Sequence, residues 1–359
     1  MMKHMMLCAA ALLLSLTSCA VSTEVDTMQT SVTETEAPSD ARIEVSTVGR
    51  ASRTLFAMDT VMELTAYTDD ETVLDLAAER IYALEELFSV TLEGSEIYEL
   101  NRNGTATLSP DTSALLTTAL ELCESTNGAL DITVYPIVSA WGFTTGEYRI
   151  PTDDELSTLL ERVDHRQLTL NGDTVTAPNG VMTDLGSVAK GYTGDRVCAL
   201  LREYGVTSAL LNLGGNVQAL GSKPDGSKWR IAIRSPESAD EYIGIVSVSD
   251  AAVITSGGYE RCFVGEDGRT YHHIIDPSTA RPAENELSSV TMIGESGTLC
   301  DAMSTALFVM GRERGTEYLS TRDDLDVIFV TKSGDIYITE GLSDSFTPSD
   351  PEASITVIG

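Results

Sequence analysis

The chain of 359 residues carries 23 Lys and Arg against 55 Asp and Glu, a formal net charge of −32, and a surface so short of cations excludes a nucleic-acid binder, because phosphate neutralisation needs a basic face. Hydrophobic residues make up 42% of it, enough for a substantial core, which excludes an acidic disordered chain. With 28 Gly, only 11 Pro and no fixed-period self-similarity, collagen-like and solenoid repeats are excluded as well.

At the start of the chain stands a targeting segment. Lys3 and His4 precede an apolar run at 7–16, of signal-peptide length and too short to span a bilayer. The run stops at Leu16-Thr17-Ser18-Cys19, in the manner of a bacterial lipoprotein box. The expectation is a signal peptide over 1–18, lipidation of Cys19, and a flexible acidic linker over 19–48, rich in Ser, Thr and Glu, that buries too little to offset its chain entropy. An ordinary secretory signal or a buried N-terminal helix is the alternative. On the first reading the molecule is lipid-anchored to the cell membrane, facing the periplasm or the cell exterior. It would touch the membrane through that anchor only, since its own charge is repelled by anionic headgroups.

From residue 49 helical and strand patterns alternate without a low-complexity break. One domain is expected over 49–345, of one lobe or two, with 346–359 as a polar tail. A strand at 61–67 leads into a helix on which Val73, Leu76, Ala77, Ile81, Leu84 and Phe88 share a face. A second helix spans 111–126 and stops at Asn127-Gly128, and Thr152 or Asp153 can cap a short helix running to 162. Strands are expected at 209–213, 229–234, 242–248, 253–255, 272–275, 288–293 and 327–331. Several are separated by turns alone, which favours an α+β fold with largely antiparallel sheets and packed helices over a doubly wound one. Without Cys8 and Cys19, four cysteines remain: Cys123, Cys198, Cys262 and Cys300. They show no CxxC spacing, and buried free thiols are expected.

Four runs combine Gly with polar residues in apolar surroundings, as expected where backbone approaches a phosphorylated ligand. They are DITVYPIVSAWGF at 131–143; DLGSVAKGY at 184–192, followed by Asp195; LGGN at 213–216 with TSGGYE at 255–260 and HHIIDP at 272–277; and TLCDAMSTAL at 298–307. Asp301 and Thr305 are four apart, on one face of an otherwise apolar helix. A carboxylate and a hydroxyl so placed suit a hard cation such as Mg2+, and they suit equally a helix N-terminus with Asp301 in its first turn. Asp184 and Lys190 flank a strand-to-helix turn, where N–H groups and one Lys can face an anion or simply cap a helix. Neither the phosphate-loop nor the dinucleotide glycine pattern is present. Of His272 and His273, strand alternation lets only one face a given site, as a base titrating near neutral pH or as a structural histidine.

Taken in order, DITVYPIVSAWGF, DLGSVAKGY, LGGN, TSGGYER, HHIIDP and DAMSTALFVMG, with Ala57-Met58-Asp59-Thr60 ahead of them, resemble the ApbE family, the FAD:protein FMN transferases, over roughly residues 55–340. The resemblance implies an ApbE-type domain and Mg2+-dependent transfer of FMN from FAD to a Ser or Thr hydroxyl of an acceptor, with release of AMP. It implies Asp301 and Thr305 as side-chain Mg2+ ligands, with Ser187 adding its main-chain carbonyl. Met58, Asp131, Asp184, Lys190 and Ile274 would contact the flavin nucleotide, and His273 would be the base. The implied partners are FAD and exported acceptor flavoproteins of membrane electron-transfer complexes. One departure falls at Val90-Thr91, where many members carry an aromatic residue and where a change goes with hydrolysis of FAD to FMN and AMP. An FAD pyrophosphatase, or a non-catalytic flavin-binding lipoprotein, is therefore the alternative.

Overall fold

In the computed structural model, which describes residues 48–359, one nine-stranded sheet takes its strands in chain order. They are β1 (Arg50–Ala57), β2 (Thr60–Tyr67), β3 (Ala209–Leu213), β4 (Asn216–Leu220), β5 (Ala251–Gly257), β6 (Leu287–Gly294), β7 (Leu325–Thr331), β8 (Ile336–Thr339) and β9 (Ile355–Ile358). Neighbours are antiparallel throughout except for the last pair, β8 with β9. The expected signal peptide, Cys19 and the linker up to residue 47 lie outside the described residues. Among the described residues no helix is long and apolar enough to cross a membrane.

Helices fill two of the connections. Between β2 and β3 come α1 (Thr72–Phe88), α2 (Glu96–Asn103), α3 (Pro110–Ser125), α4 (Tyr135–Ala140), α5 (Asp153–Leu160) and α6 (Ala189–Glu203); between β6 and β7 come α7 (Gly297–Met310) and α8 (Arg312–Leu319). Burial follows the residue pattern. β1 alternates exposed and buried residues as an edge strand does, whereas β6 and β7 are buried along most of their length because both faces are covered. On one face Ala252, Ile254 and Met292 meet α7; on the other Val253 and Ile293 meet a small sheet of Trp229–Arg234, Tyr242–Val248 and Phe346–Pro348. A further core under β1 to β3 is closed by α1 and α6. In α7 only Leu299, Thr305, Val309 and Met310 are not buried, which marks it as a core helix.

Most expected elements stand where the pattern put them, and four readings need correction. The run at 272–275 is not one strand. Thr270–His272 pairs with Cys262–Val264, and Ile275–Asp276 pairs with Arg281–Pro282, because the Asp276 carboxylate accepts from Ser278 N and Oγ and draws the chain into a tight turn. Residues 346–359 are not a tail: Phe346 and Ile355 pack into the core beside β8, and the β-branched run of β9 pairs with Ile336–Thr339. Cys123, Cys198 and Cys300 are buried free thiols, but Cys262 is exposed, on a two-stranded hairpin whose edges no further strand covers. The approach to α6 is extended without being a strand. There Thr183 exchanges hydrogen bonds with the Asn101 amide at 2.6 and 2.8 Å, which replaces a ladder.

The junction of α6 with α7 positions everything that follows. Asp195 of α6 sits at the N-terminus of α7, where its carboxylate accepts from Gly297 N (2.7 Å), Thr298 N (2.9 Å), Thr298 Oγ1 (2.7 Å) and Gln218 Nε2 (2.7 Å). Ser296 caps the same helix by accepting from Leu299 N at 3.2 Å. Orphan N–H groups are thus satisfied from a neighbouring helix, and a negative charge lies at the positive end of the helix dipole. Glycine lets the two helices close. A Cβ on Gly191 would lie 2.1 Å from Gly297 O, and one on Gly297 would lie 2.7 Å from Gly191 O.

Replacing Asp195 by Ala leaves two main-chain N–H groups of α7 without acceptors. A loss of about 2–4 kcal/mol is expected, read as a lower urea midpoint at unchanged slope. A midpoint equal to the parent's contradicts the stabilising role of this carboxylate.

Candidate active site

A cleft of about 850 Å³ opens where the β1–β2 turn, the end of α1, the start of α6, the end of β5, the residues flanking the 262–272 hairpin and α7 converge. Met58, Asp131, Asp184, Ser187, Lys190, His273, Ile274, Asp301 and Thr305 all line it, so every site residue expected within the described chain arrives at one place.

Met58 arrives there through strain. It and Asp59 form the two-residue turn between β1 and β2, both left-handed with φ of 50° and 58°. Such a turn favours Asn-Gly, and other residues carry a penalty on the order of 1 kcal/mol each. Glu85 holds the turn by accepting the Met58 N–H at 2.5 Å, and Thr193 Oγ1 lies 3.8 Å from Met58 Sδ.

The turn before α6 is shaped by Asp184, whose Oδ1 accepts from Gly186 N at 2.7 Å. Burial pushes the Asp184 carboxyl up, against that N–H and the charges of Arg261 and Lys190. Next comes an irregular helix start. Gly191, whose N–H would close the first turn onto the Ser187 carbonyl, donates instead to Asp301 Oδ2 at 2.8 Å. The Ser187 carbonyl is thereby released from that bond at the cleft wall, and the Asp301 side chain is fixed in place.

Asp301 is 5% exposed, and burial pushes its carboxyl up while Lys190, the Gly191 N–H and Asn216 pull it down. None of the ion pairs among the described residues includes it. A buried carboxylate that feels the Lys190 charge but makes no ion pair favours a bound cation. Thr305 stands one turn along the same face, its Oγ1 3.3 Å from Ser256 Oγ. Carboxylate, hydroxyl and released carbonyl make a hard-oxygen donor set that fits Mg2+. The described residues contain no cluster of three His, Cys, Asp or Glu, so such an ion would complete its shell with ligand phosphate or water oxygens.

Alternation separates the two histidines. His272 turns away, with Nε2 3.1 Å from Ala283 O and its ring edge-on to Phe308. His273 lines the cleft, with Phe143 beside it at 6.4 Å between ring centroids. Its Nδ1 is buried without a partner, which leaves Nε2 as the nitrogen open to the cleft. Burial, then the charges of Arg261 and His272, lower its pKa to about 3. It is neutral at pH 7, the state a proton acceptor needs.

Two further expected residues form wall rather than reactive surface. Ile274 is buried and apolar. Both oxygens of Asp131 are engaged: Oδ1 accepts from Thr133 N at 2.8 Å and from Thr133 Oγ1, and Oδ2 accepts from His165 N at 3.1 Å with His165 Nδ1 at 3.0 Å. Glu85, Ser256 and Arg261 also line the cleft, and the sequence reading assigned them no role. Ser256 and Arg261 stand inside the TSGGYER run and had that signal; Glu85 is one acid among several on α1, and only the packing of the Met58 turn distinguishes it.

The ApbE family model matches residues 58–329, from the Met58 turn to β7. An FAD:protein FMN transferase of Klebsiella pneumoniae (strain 342) is 33% identical over 294 residues, 80% of this chain and 91% of that protein. One of Treponema pallidum (strain Nichols) is 34% identical over 298 residues, 75% and 82% of the two chains. Among solved structures, the ApbE protein of Thermotoga maritima superposes with a TM-score of 0.76 at 30% identity, covering 80% of this chain and 96% of that one. The flavin transferase ApbE of Vibrio cholerae does so with a TM-score of 0.71 at 29% identity, covering 83% and 96%.

His273 is expected to titrate far below an ordinary imidazole. In an NMR titration of labelled histidine, with His273→Ala identifying the signal, its midpoint should fall below about pH 5. A midpoint at the unperturbed value of about 6.5 contradicts the burial of the ring.

Proposed function

The chain belongs to the ApbE family, and from that premise we propose that it moves FMN from FAD to a Ser or Thr hydroxyl of an exported acceptor flavoprotein, releasing AMP in a Mg2+-dependent reaction. The observation that carries this reading is the convergence in one cleft of an oxygen-donor set at the α6–α7 junction, a neutral His273 and the cation Lys190. Asp301, Thr305 and the Ser187 carbonyl would hold the Mg2+, which when bound neutralises pyrophosphate charge next to the bond to be broken.

The chain's own residues supply the rest. Nε2 of His273 takes the proton of the attacking hydroxyl. The hydroxyl oxygen bonds to the flavin-side phosphorus, the pyrophosphate P–O bond breaks, and AMP leaves with the electron pair. Lys190 adds positive charge at the phosphates. Met58 and Ile274 give apolar wall to the flavin nucleotide, and Asp184 fixes the turn that presents Ser187. Asp131 braces the opposite loop through Thr133 and His165. The same proposal extends to the N-terminus: cleavage after residue 18 and a lipid on Cys19 would tether the domain outside the cell membrane, within reach of acceptors in membrane electron-transfer complexes.

One observation favours water as a second acceptor. Val90 and Thr91, not an aromatic ring, line the cleft after α1, and the same base and donor set would serve hydrolysis to FMN and AMP.

With FAD, Mg2+ and an exported acceptor flavoprotein, AMP release is expected to match covalent FMN gained by the acceptor. Equal AMP and free FMN without acceptor would identify hydrolysis instead. Asp301→Ala should lower AMP release by roughly 10²-fold or more in either case, and unchanged release would overturn the metal-binding role of α7.

A further inference from the structure

We infer that Arg261 is a further catalytic residue, its guanidinium binding non-bridging oxygens of the FAD phosphate that is attacked, beside the base His273. This rests on the flavin-transfer reading above and adds to it a residue that the reading does not use.

Topology places the side chain. The His273 N–H donates to Arg261 O at 3.0 Å, continuing the ladder in which Cys262 faces His272 and Phe263 faces Tyr271. Directly opposed residues of antiparallel strands send their side chains to the same face. Arg261 therefore leaves the hairpin on the His273 side, and both residues line the cleft.

Charge points the same way. In a chain with 55 acidic against 23 basic side chains, carboxylates are plentiful. Yet no ion pair among the described residues includes Arg261. Asp184 and Glu260 feel its charge without pairing with it. Arg261 is thus an exposed cation lining a cleft that, on this reading, accepts an anionic pyrophosphate. Its positive charge also helps to keep His273 unprotonated.

The chemistry assigns it to one phosphate. Attack and departure are in line, so the base stands on the side of the incoming hydroxyl and AMP leaves on the far side. A residue next to the base meets the equatorial oxygens of the attacked phosphorus, where charge is spread in the transition state. A planar guanidinium can donate to two such oxygens at once. The hydroxyl O–P bond forms, the pyrophosphate P–O bond breaks, AMP takes the electron pair and His273 takes the proton; Arg261 exchanges neither protons nor electrons.

The test compares the full chain with Arg261→Gln and Arg261→Lys. With FAD and Mg2+, Arg261→Gln should lower kcat for AMP release about 10²-fold, with a smaller rise in KM for FAD. Arg261→Lys should recover only part of this, because a point charge does not span two oxygens. ADP and riboflavin serve as binding probes in parallel. Arg261→Gln is expected to weaken ADP about tenfold or more and to leave riboflavin unchanged, which also reports an intact fold. A kcat and an ADP affinity both within about twofold of the parent's overturn the proposal. The ADP arm reads the phosphate contact without turnover. A parent that binds ADP, loses that affinity on Arg261→Gln and releases no AMP from FAD keeps Arg261 as a phosphate ligand, and overturns flavin transfer instead.

Discussion

A single hydrogen bond, from the Gly191 N–H to the Asp301 carboxylate, ties the start of α6 to the buried face of α7, and the geometry of the cleft depends on it. A charge-assisted bond of this kind contributes roughly 1.5–3 kcal/mol, which offsets part of the cost of burying Asp301. It also withdraws a donor from Ser187, so one bond both fixes a carboxylate and frees a carbonyl. Only glycine permits it. Any side chain at Gly191 would enter Gly297 O and the Asp301 Cβ. Asp195 secures the other end of the contact by holding the first turn of α7.

Around that junction the sheet delivers the remaining groups in chain order. The Met58 turn comes from one edge, the end of β5 from the centre, and the hairpin before Ile275–Asp276 carries Arg261 and His273. Several departures from local rules lie at this cleft. Met58 and Asp59 are left-handed without being glycine, Asp301 is buried without an ion-pair partner, and His273 Nδ1 has no partner. Helices α2, α3 and α5 by contrast start at Ser95, Ser109 and Thr152, each accepting a first-turn N–H. Two adjacent left-handed residues beside a buried carboxylate are the kind of strain that a site under functional constraint retains.

Much of the fold was legible because its signals are local. The 3.6-residue spacing of Val73, Ala77, Ile81, Leu84 and Phe88 is the buried face of α1, although Leu74 replaces Leu76 in the core. The alternation over Trp229–Arg234 is a strand with one face on the core. Elements that depend on distant partners were not legible: β9 is too short to announce itself, and its strand state comes from pairing with β8. The 272–275 run reads as a strand until the Asp276 turn breaks it. The site was legible for a different reason, since its glycines and polar residues interrupt apolar runs in a fixed order. What those runs did not disclose was tertiary: Glu85 under the Met58 turn, His165 against Asp131, and Arg261 opposite His273.

The most direct test of the α6–α7 site is a crystal of the protein grown with ADP and Mn2+, in which anomalous scattering locates the metal. The expected peak lies against Asp301, Thr305 and the Ser187 carbonyl, with the pyrophosphate oxygens completing its shell. ADP bound in the cleft with the metal elsewhere, or with no metal at that position, would contradict the central role of the Gly191–Asp301 contact.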